Sequence, residues 1–232
     1  MDWPLVIVTP VGPLTIDLAC GPVALGPPDR EMTLASGAYV AQWDDHEGLA
    51  SDMLLTQYDD QAPVLENQPV PECWGVEWRL YAPRRPTPPM SVWVLAPDGL
   101  DTSGTGDEGL AATEIWTDAW RLCVAGPDEV WFARQIEARA SAPSWARVFG
   151  DDDSLGVGGF GPWSTERGIV WHLPGLDQGE SATSWVAAAW CAAGTPGADD
   201  AAFCAVDVDP SLLREAAELR GPVADLRAEP FS

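Results

Sequence analysis

Lysine is missing from this chain: all 12 basic residues are arginine, set against 36 acidic ones, for a formal charge of −24. Binding to nucleic acid or to anionic lipid needs Lys/Arg patches that replace counterions, so neither is expected as a partner. The field that remains favours solubility and attracts basic molecules. Histidine is almost missing as well, with only His46 and His172. Cys20, Cys73, Cys123, Cys191 and Cys204 form no C-x-x-C pair. An odd, scattered set of this kind argues for buried reduced thiols rather than a disulfide frame or a zinc knuckle.

Long apolar runs are lacking too. The longest, Trp185 to Ala193, falls well short of the ~20 residues that span a bilayer. The opening stretch MDWPLVIVTPVGPLTIDLAC has no basic leader and is broken by Pro4, Pro10, Pro13 and Asp17, so it makes a poor signal peptide. A cytoplasmic protein is the expectation. No lysine beside abundant Ala, Gly and Pro resembles, by association, the coding bias of a high-GC bacterial genome.

Catalytic signatures are the last absence. There is no G-x-S-x-G, and neither histidine stands near a serine or cysteine in a nucleophile pattern. GVGGFG at 156–161 is followed by Pro162 and Trp163 rather than Lys-Ser/Thr and a helix, so it is no phosphate loop. No cofactor is expected, and the reading leans away from an enzyme.

What the chain does have is alternation with period two. In Trp74–Leu80 the residues Trp74, Val76, Trp78 and Leu80 share one face, and Gly75, Glu77 and Arg79 the other. That pattern is a half-buried antiparallel strand. Further strands are expected at 5–8, 14–18, 39–43, 91–95, 120–124, 130–138, 168–173 and 185–191. Turn chemistry separates them, as at Gly126-Pro127-Asp128 and Pro174-Gly175. One helix is signalled near 210–220: Asp209 can cap it, Pro210 suits its first turn, and Leu212, Leu213, Ala216, Ala217 and Leu219 give it an apolar stripe. The fold expected is mainly β, an antiparallel sandwich of packed sheets with this one C-terminal helix. Residues 1–232 read as a single domain, with a subdivision or a long loop at the linker-like stretch 97–110.

Asp44-Asp45-His46-Glu47 gathers charge around a histidine but lacks the oxygen-ligand spacing of a calcium loop. Zinc would need His172 from elsewhere, and the two could meet only if their strands lay side by side. An acidic solvated turn after a strand ending at Trp43 is the expectation, with no metal. Asp151-Asp152-Asp153 reads likewise as a solvated charge run. The 13 tryptophans exceed what a core needs; Trp93, Trp116, Trp131, Trp145 and Trp163 are candidates to line a groove or anchor an interface.

The leading expectation is a non-enzymatic acidic binding protein that engages a basic protein partner, as an immunity protein or nuclease inhibitor would. Its contact set would be Asp44, Asp45, Glu47, Trp116, Trp131, Asp151, Asp152, Asp153 and Trp163. Two alternatives stand beside it. One is a carbohydrate-binding or glycan-processing β-sandwich; the other is a metal-dependent enzyme using His46 and His172.

Overall fold

The computed structural model describes residues 3–59, 71–132, 160–194 and 196–219. Two antiparallel sheets pack as a sandwich. The smaller holds β1 (Leu5–Thr9), β2 (Gly12–Cys20), β3 (Val23–Ala24), β8 (Met90–Leu95), β12 (Gly161–Thr165) and β13 (Gly168–Leu173). Its order is β1-β2-β8-β13-β12, with β3 paired to the end of β2. The larger holds β4 (Arg30–Thr33), β5 (Tyr39–His46), β6 (Leu49–Tyr58), β7 (Glu72–Tyr81), β9 (Thr102–Asp107), β10 (Leu110–Trp116), β11 (Trp120–Pro127) and β14 (Ser181–Ala192). Its order is β4-β5-β6-β7-β14-β11-β10-β9.

The main core lies between the sheets. Leu14, Ile16 and Leu18 of β2, Val92 and Val94 of β8 and Trp171 of β13 meet Val76, Trp78 and Leu80 of β7 across it. Alternation places the apolar set of each strand inward, as the Trp74–Leu80 pattern predicts. At one margin the sheets nearly touch: a Cβ on Gly104 of β9 would lie 2.6 Å from Ser164 Oγ of β12. Close approach, not a turn, is what glycine permits there.

A second core covers the outer face of the larger sheet. Helices α1 (Ala198–Ala205) and α2 (Pro210–Ala216) pack their apolar sides on Val40, Leu54, Trp185 and Ala187. The cap expected for α2 is present, with Asp209 Oδ1 accepting from the Ser211 N–H at 2.7 Å. The helix ends earlier than its apolar stripe suggests, because Glu218 adopts φ 59°. Gly221-Pro222, the expected stop, lies outside the described residues. Beneath α2, Arg214 pairs with the buried Glu77, and Gln42 Nε2 donates to Asp52 Oδ1 at 3.0 Å. Tyr58 donates to the Ala205 carbonyl at 2.6 Å and so ties β6 to the end of α1.

The strand expected over 130–138 is instead a helical turn at 129–132, and its remainder lies outside the described residues. The reason is local: Asp128 Oδ1 accepts from the Trp131 N–H at 2.8 Å and caps the turn right after Pro127 ends β11. The linker-like stretch contains β9, which pairs with β10 at the edge of the larger sheet. A second helix, α1, joins the one expected. Four cysteines are buried as expected, but Cys204 is exposed on α1. Among the described residues no helix is long and apolar enough to cross a membrane.

Candidate functional site

The acidic stretch at 44–47 is a hairpin tip, not a loop after Trp43. Strand β5 runs on to His46 through an irregularity between Trp43 and His46, and His46 pairs with Leu49. Glu47 and Gly48 both take positive φ, 53° and 89°, the signature of the tight two-residue turn that matches strand twist. The chain's own arginines meet these carboxylates. Arg30 Nη2 lies 2.5 Å from Asp44 Oδ1, Arg84 Nη1 3.6 Å from Asp45 Oδ2, and Arg85 Nη2 4.0 Å from Glu47 Oε2. Arg84 and Arg85 come from the link between β7 and β8, and the Arg85 stem packs so closely on Gly48 that a Cβ there would sit 2.9 Å from it. This tip is therefore an internally paired clip rather than a bare acidic patch.

His46 and His172 do not meet, since β5 and β13 belong to different sheets. No three His, Cys, Asp or Glu side chains among the described residues converge as a metal site requires. Nor do Trp116, Trp131 and Trp163 form one patch. Trp163, 51% exposed, stands on the outside of the smaller sheet. Trp116, 57% exposed, pairs with Arg121 on the outside of the larger one. Trp131 is half-buried against both cores, edge-on to Phe132 at 5.4 Å. Trp145 and Asp151, Asp152 and Asp153 lie outside the described residues.

The outer face of the smaller sheet does bring chemistry together. Directly opposed residues of antiparallel strands share a face. The register runs Asp17 to Trp93, Trp93 to Val170 and Val170 to Trp163, one row across β2, β8, β13 and β12. The next row runs Ala19 to Ser91 to His172. Each strand turns its large aliphatic or ring neighbours (Ile16 and Leu18, Val92 and Val94, Ile169 and Trp171) into the core, which forces these residues outward. Both α1 and α2 lie on the other sheet.

The side chains on this face are held in place. Trp93 Nε1 donates to Ser91 Oγ at 2.9 Å, and the indole stands edge-on to His172, centroids 5.9 Å apart at 89°. Val170 fills the gap between the two tryptophans and is only 2% exposed. Asp17 accepts from the Leu18 N–H at 2.8 Å, while burial pushes its carboxyl above the usual aspartate range. Val6 and Val8 of β1 continue the face with apolar surface, Val8 being 80% exposed. The arrangement offers flat apolar rings flanked by a carboxylate, an imidazole and a hydroxyl.

A concavity of about 740 Å³ opens elsewhere, between the β8–β9 link and the β12–β13 turn. Its walls are Leu100, Asp101, Glu166 and the exposed pair Arg167–Asp98 at 2.5 Å. It is a polar surface recess with no aromatic wall.

No family model matches the sequence, and no curated protein matches it. Among solved structures, the chain is similar to a protein described as a putative kojibiose phosphorylase from the human microbiome, with 8% identity and a TM-score of 0.40 over 94% of this chain. A polysaccharide lyase gives 12% identity and a TM-score of 0.30 over 75% of this chain. The chain spans about a quarter of the length of each of these proteins, 25% in both cases.

Proposed function

We propose that this protein is a carbohydrate-binding β-sandwich and that the outer face of the smaller sheet is its binding surface. The observation that supports this is the row Asp17–Trp93–Val170–Trp163 with His172 and Ser91 beside it. A pyranose ring has apolar C–H faces and a rim of hydroxyls. Indoles offer broad contact area at low entropy cost, since only two torsions need fixing. The carboxylate, imidazole and hydroxyl at their margins can take up the hydroxyl hydrogen bonds, which would be costly to leave unmade. A few convergent polar groups around an apolar, aromatic surface are what small-ligand recognition needs.

Binding of a basic protein is the second reading, supported by the charge of −24 and by the exposed Trp116. It is the weaker one. The acidic tip is occupied by Arg30, Arg84 and Arg85, and Trp116 and Trp163 look out on opposite sides of the sandwich.

The test is a glycan array followed by titration calorimetry of the best ligand against wild type, Trp163→Ala and Trp116→Ala. Trp163→Ala should weaken binding by ~1–2 kcal/mol, the scale of a lost ring stack plus its buried area. Trp116→Ala should leave it unchanged. An empty array would reverse the order of the two readings if a basic protein were recovered instead, by salt-sensitive binding that Trp116→Ala abolishes.

A further inference from the structure

The charge and the sheet geometry narrow the ligand further, on the premise that the Trp93–Trp163 face binds glycan. We infer that it takes a single, soluble, uncharged glycan chain lying across the strands, and neither an acidic polysaccharide nor a crystalline surface.

The direction follows from the register. Trp163, Val170, Trp93 and Asp17 occupy opposed positions on successive strands, so the row runs perpendicular to the strands. Neighbouring strands lie about 4.8 Å apart, which sets the two tryptophans roughly 10 Å apart and Asp17 roughly 14 Å from Trp163. A monosaccharide spans neither distance. An extended chain of about three rings reaches from one indole past Val170 to the other and sets its hydroxyls against Asp17.

Flatness is excluded by twist. Adjacent strands rotate by about 20–25°, so the two tryptophans are carried on strands turned by roughly 40–50° relative to one another. A rigid crystalline face cannot lie on both rings, whereas a free chain can turn with them. Val170, almost fully enclosed between the rings, supplies a filled floor and leaves no slot for a branch to enter.

Charge excludes the acidic glycans. The row ends in the Asp17 carboxyl, and the whole chain carries −24. A uronate or sulfate chain would approach against that field. The rows on either side of it are Thr15, Leu95, Gly168 and Thr165, and Ala19, Ser91, His172 and Gly161, and no lysine or arginine is among them.

The experiment is affinity electrophoresis and calorimetry at two salt concentrations. The probes are a soluble neutral β-glucan, its oligomers of one to six rings, chitosan oligomers, polygalacturonate and microcrystalline cellulose. Affinity for the neutral oligomers should rise steeply up to about three rings and then level off, and change little with salt. Trp163→Ala and Trp93→Phe should each weaken it, the former roughly five- to thirtyfold. Trp163 is surface-exposed, so its variant should unfold at the wild-type temperature and keeps the test valid should Trp93→Phe disturb the sheet.

Binding of polygalacturonate or cellulose equal to that of the soluble neutral chain overturns the inference, and so does a single sugar bound as well as a trimer. In both cases the carbohydrate reading survives. Capture of chitosan alone, abolished by salt and indifferent to Trp163→Ala, overturns it as a bulk effect of charge. Failure of every probe overturns both.

Discussion

Replacing Gly75 by alanine tests what holds α2 to the sheet. A Cβ at this position would stand 2.3 Å from Leu213 Cδ2, 2.8 Å from Cδ1 and 3.1 Å from Cγ. Leu213 is fully enclosed, at 0% exposure, so its side chain has little room to swing aside. Either α2 lifts from β6 and β7 or the leucine leaves its preferred rotamer. Overpacking of this kind costs about 1–3 kcal/mol. Against it runs a gain: alanine loses less backbone entropy than glycine on entering a strand, worth about 0.5–1 kcal/mol. Strain wins, and the expected net loss is roughly 1–2 kcal/mol. Leu213→Ala alone should cost about 2–5 kcal/mol through the cavity it leaves. In the double variant the new methyl enters the vacated space, so the combined loss should fall short of the sum of the two by at least about 1 kcal/mol. Urea unfolding of the four proteins, followed by tryptophan fluorescence, gives the cycle. Additive losses, or a Gly75→Ala variant as stable as wild type, would refute the idea that close approach at glycine seats the helix.

Two further outcomes are expected. Thiol titration should find one fast group per folded chain, Cys204, and five after denaturation; burial raises the Cys20 thiol to about 11, with the Glu47 charge adding to the shift, and two fast groups in the native protein would contradict the packing. Burial also raises the Glu77 carboxyl, and Arg214 pulls it back only in part, so folded Glu77 holds its proton more tightly than unfolded Glu77. Its contribution to stability is then full below the ordinary glutamate range and falls as pH rises through the raised value. Glu77→Gln should accordingly gain on the wild type in urea unfolding as pH is raised through and above the ordinary glutamate range, and a wild type that gains instead would show the Arg214 ion pair to outweigh desolvation.

Strands that alternate apolar with polar residues are legible in the sequence, whether or not the polar face ends in water. β7 shows its two faces because Glu77 and Arg79 alternate with the core residues. β6 escapes notice, since it lies between the main core and the helices and is buried at nearly every position, a pattern with no alternation to read. β9 is hidden for the opposite reason: TSGTGD is exposed along almost its whole length, and pairing alone makes it a strand. α1 is built from Ala198, Ala201, Ala202 and Ala205, too weak an apolar stripe to announce a helix. Trp93 and Trp163 stand out one by one as tryptophans beyond the needs of a core, and alternation along β13 sets His172 on its outer side. Their assembly is out of reach, because the row joins residues 17, 93, 170 and 163 through pairings that local pattern does not encode.

Strand β14, the last in chain order among the described residues, sits between β7 and β11 near the middle of the larger sheet. On a ribosome, β4 to β7 and β9 to β11 emerge first, and each set is left with an open hydrogen-bonding edge facing a gap one strand wide. Non-local closure of this kind is slow, since the loop entropy must be overcome before the contacts return anything. Until residue 192 is free, Trp185 and Trp190 are missing from the layers they will fill, and unfilled edges invite pairing with another chain. Copies with these edges still open can pair with one another, and the excess of acidic over basic residues sets like charge against like wherever two of them approach.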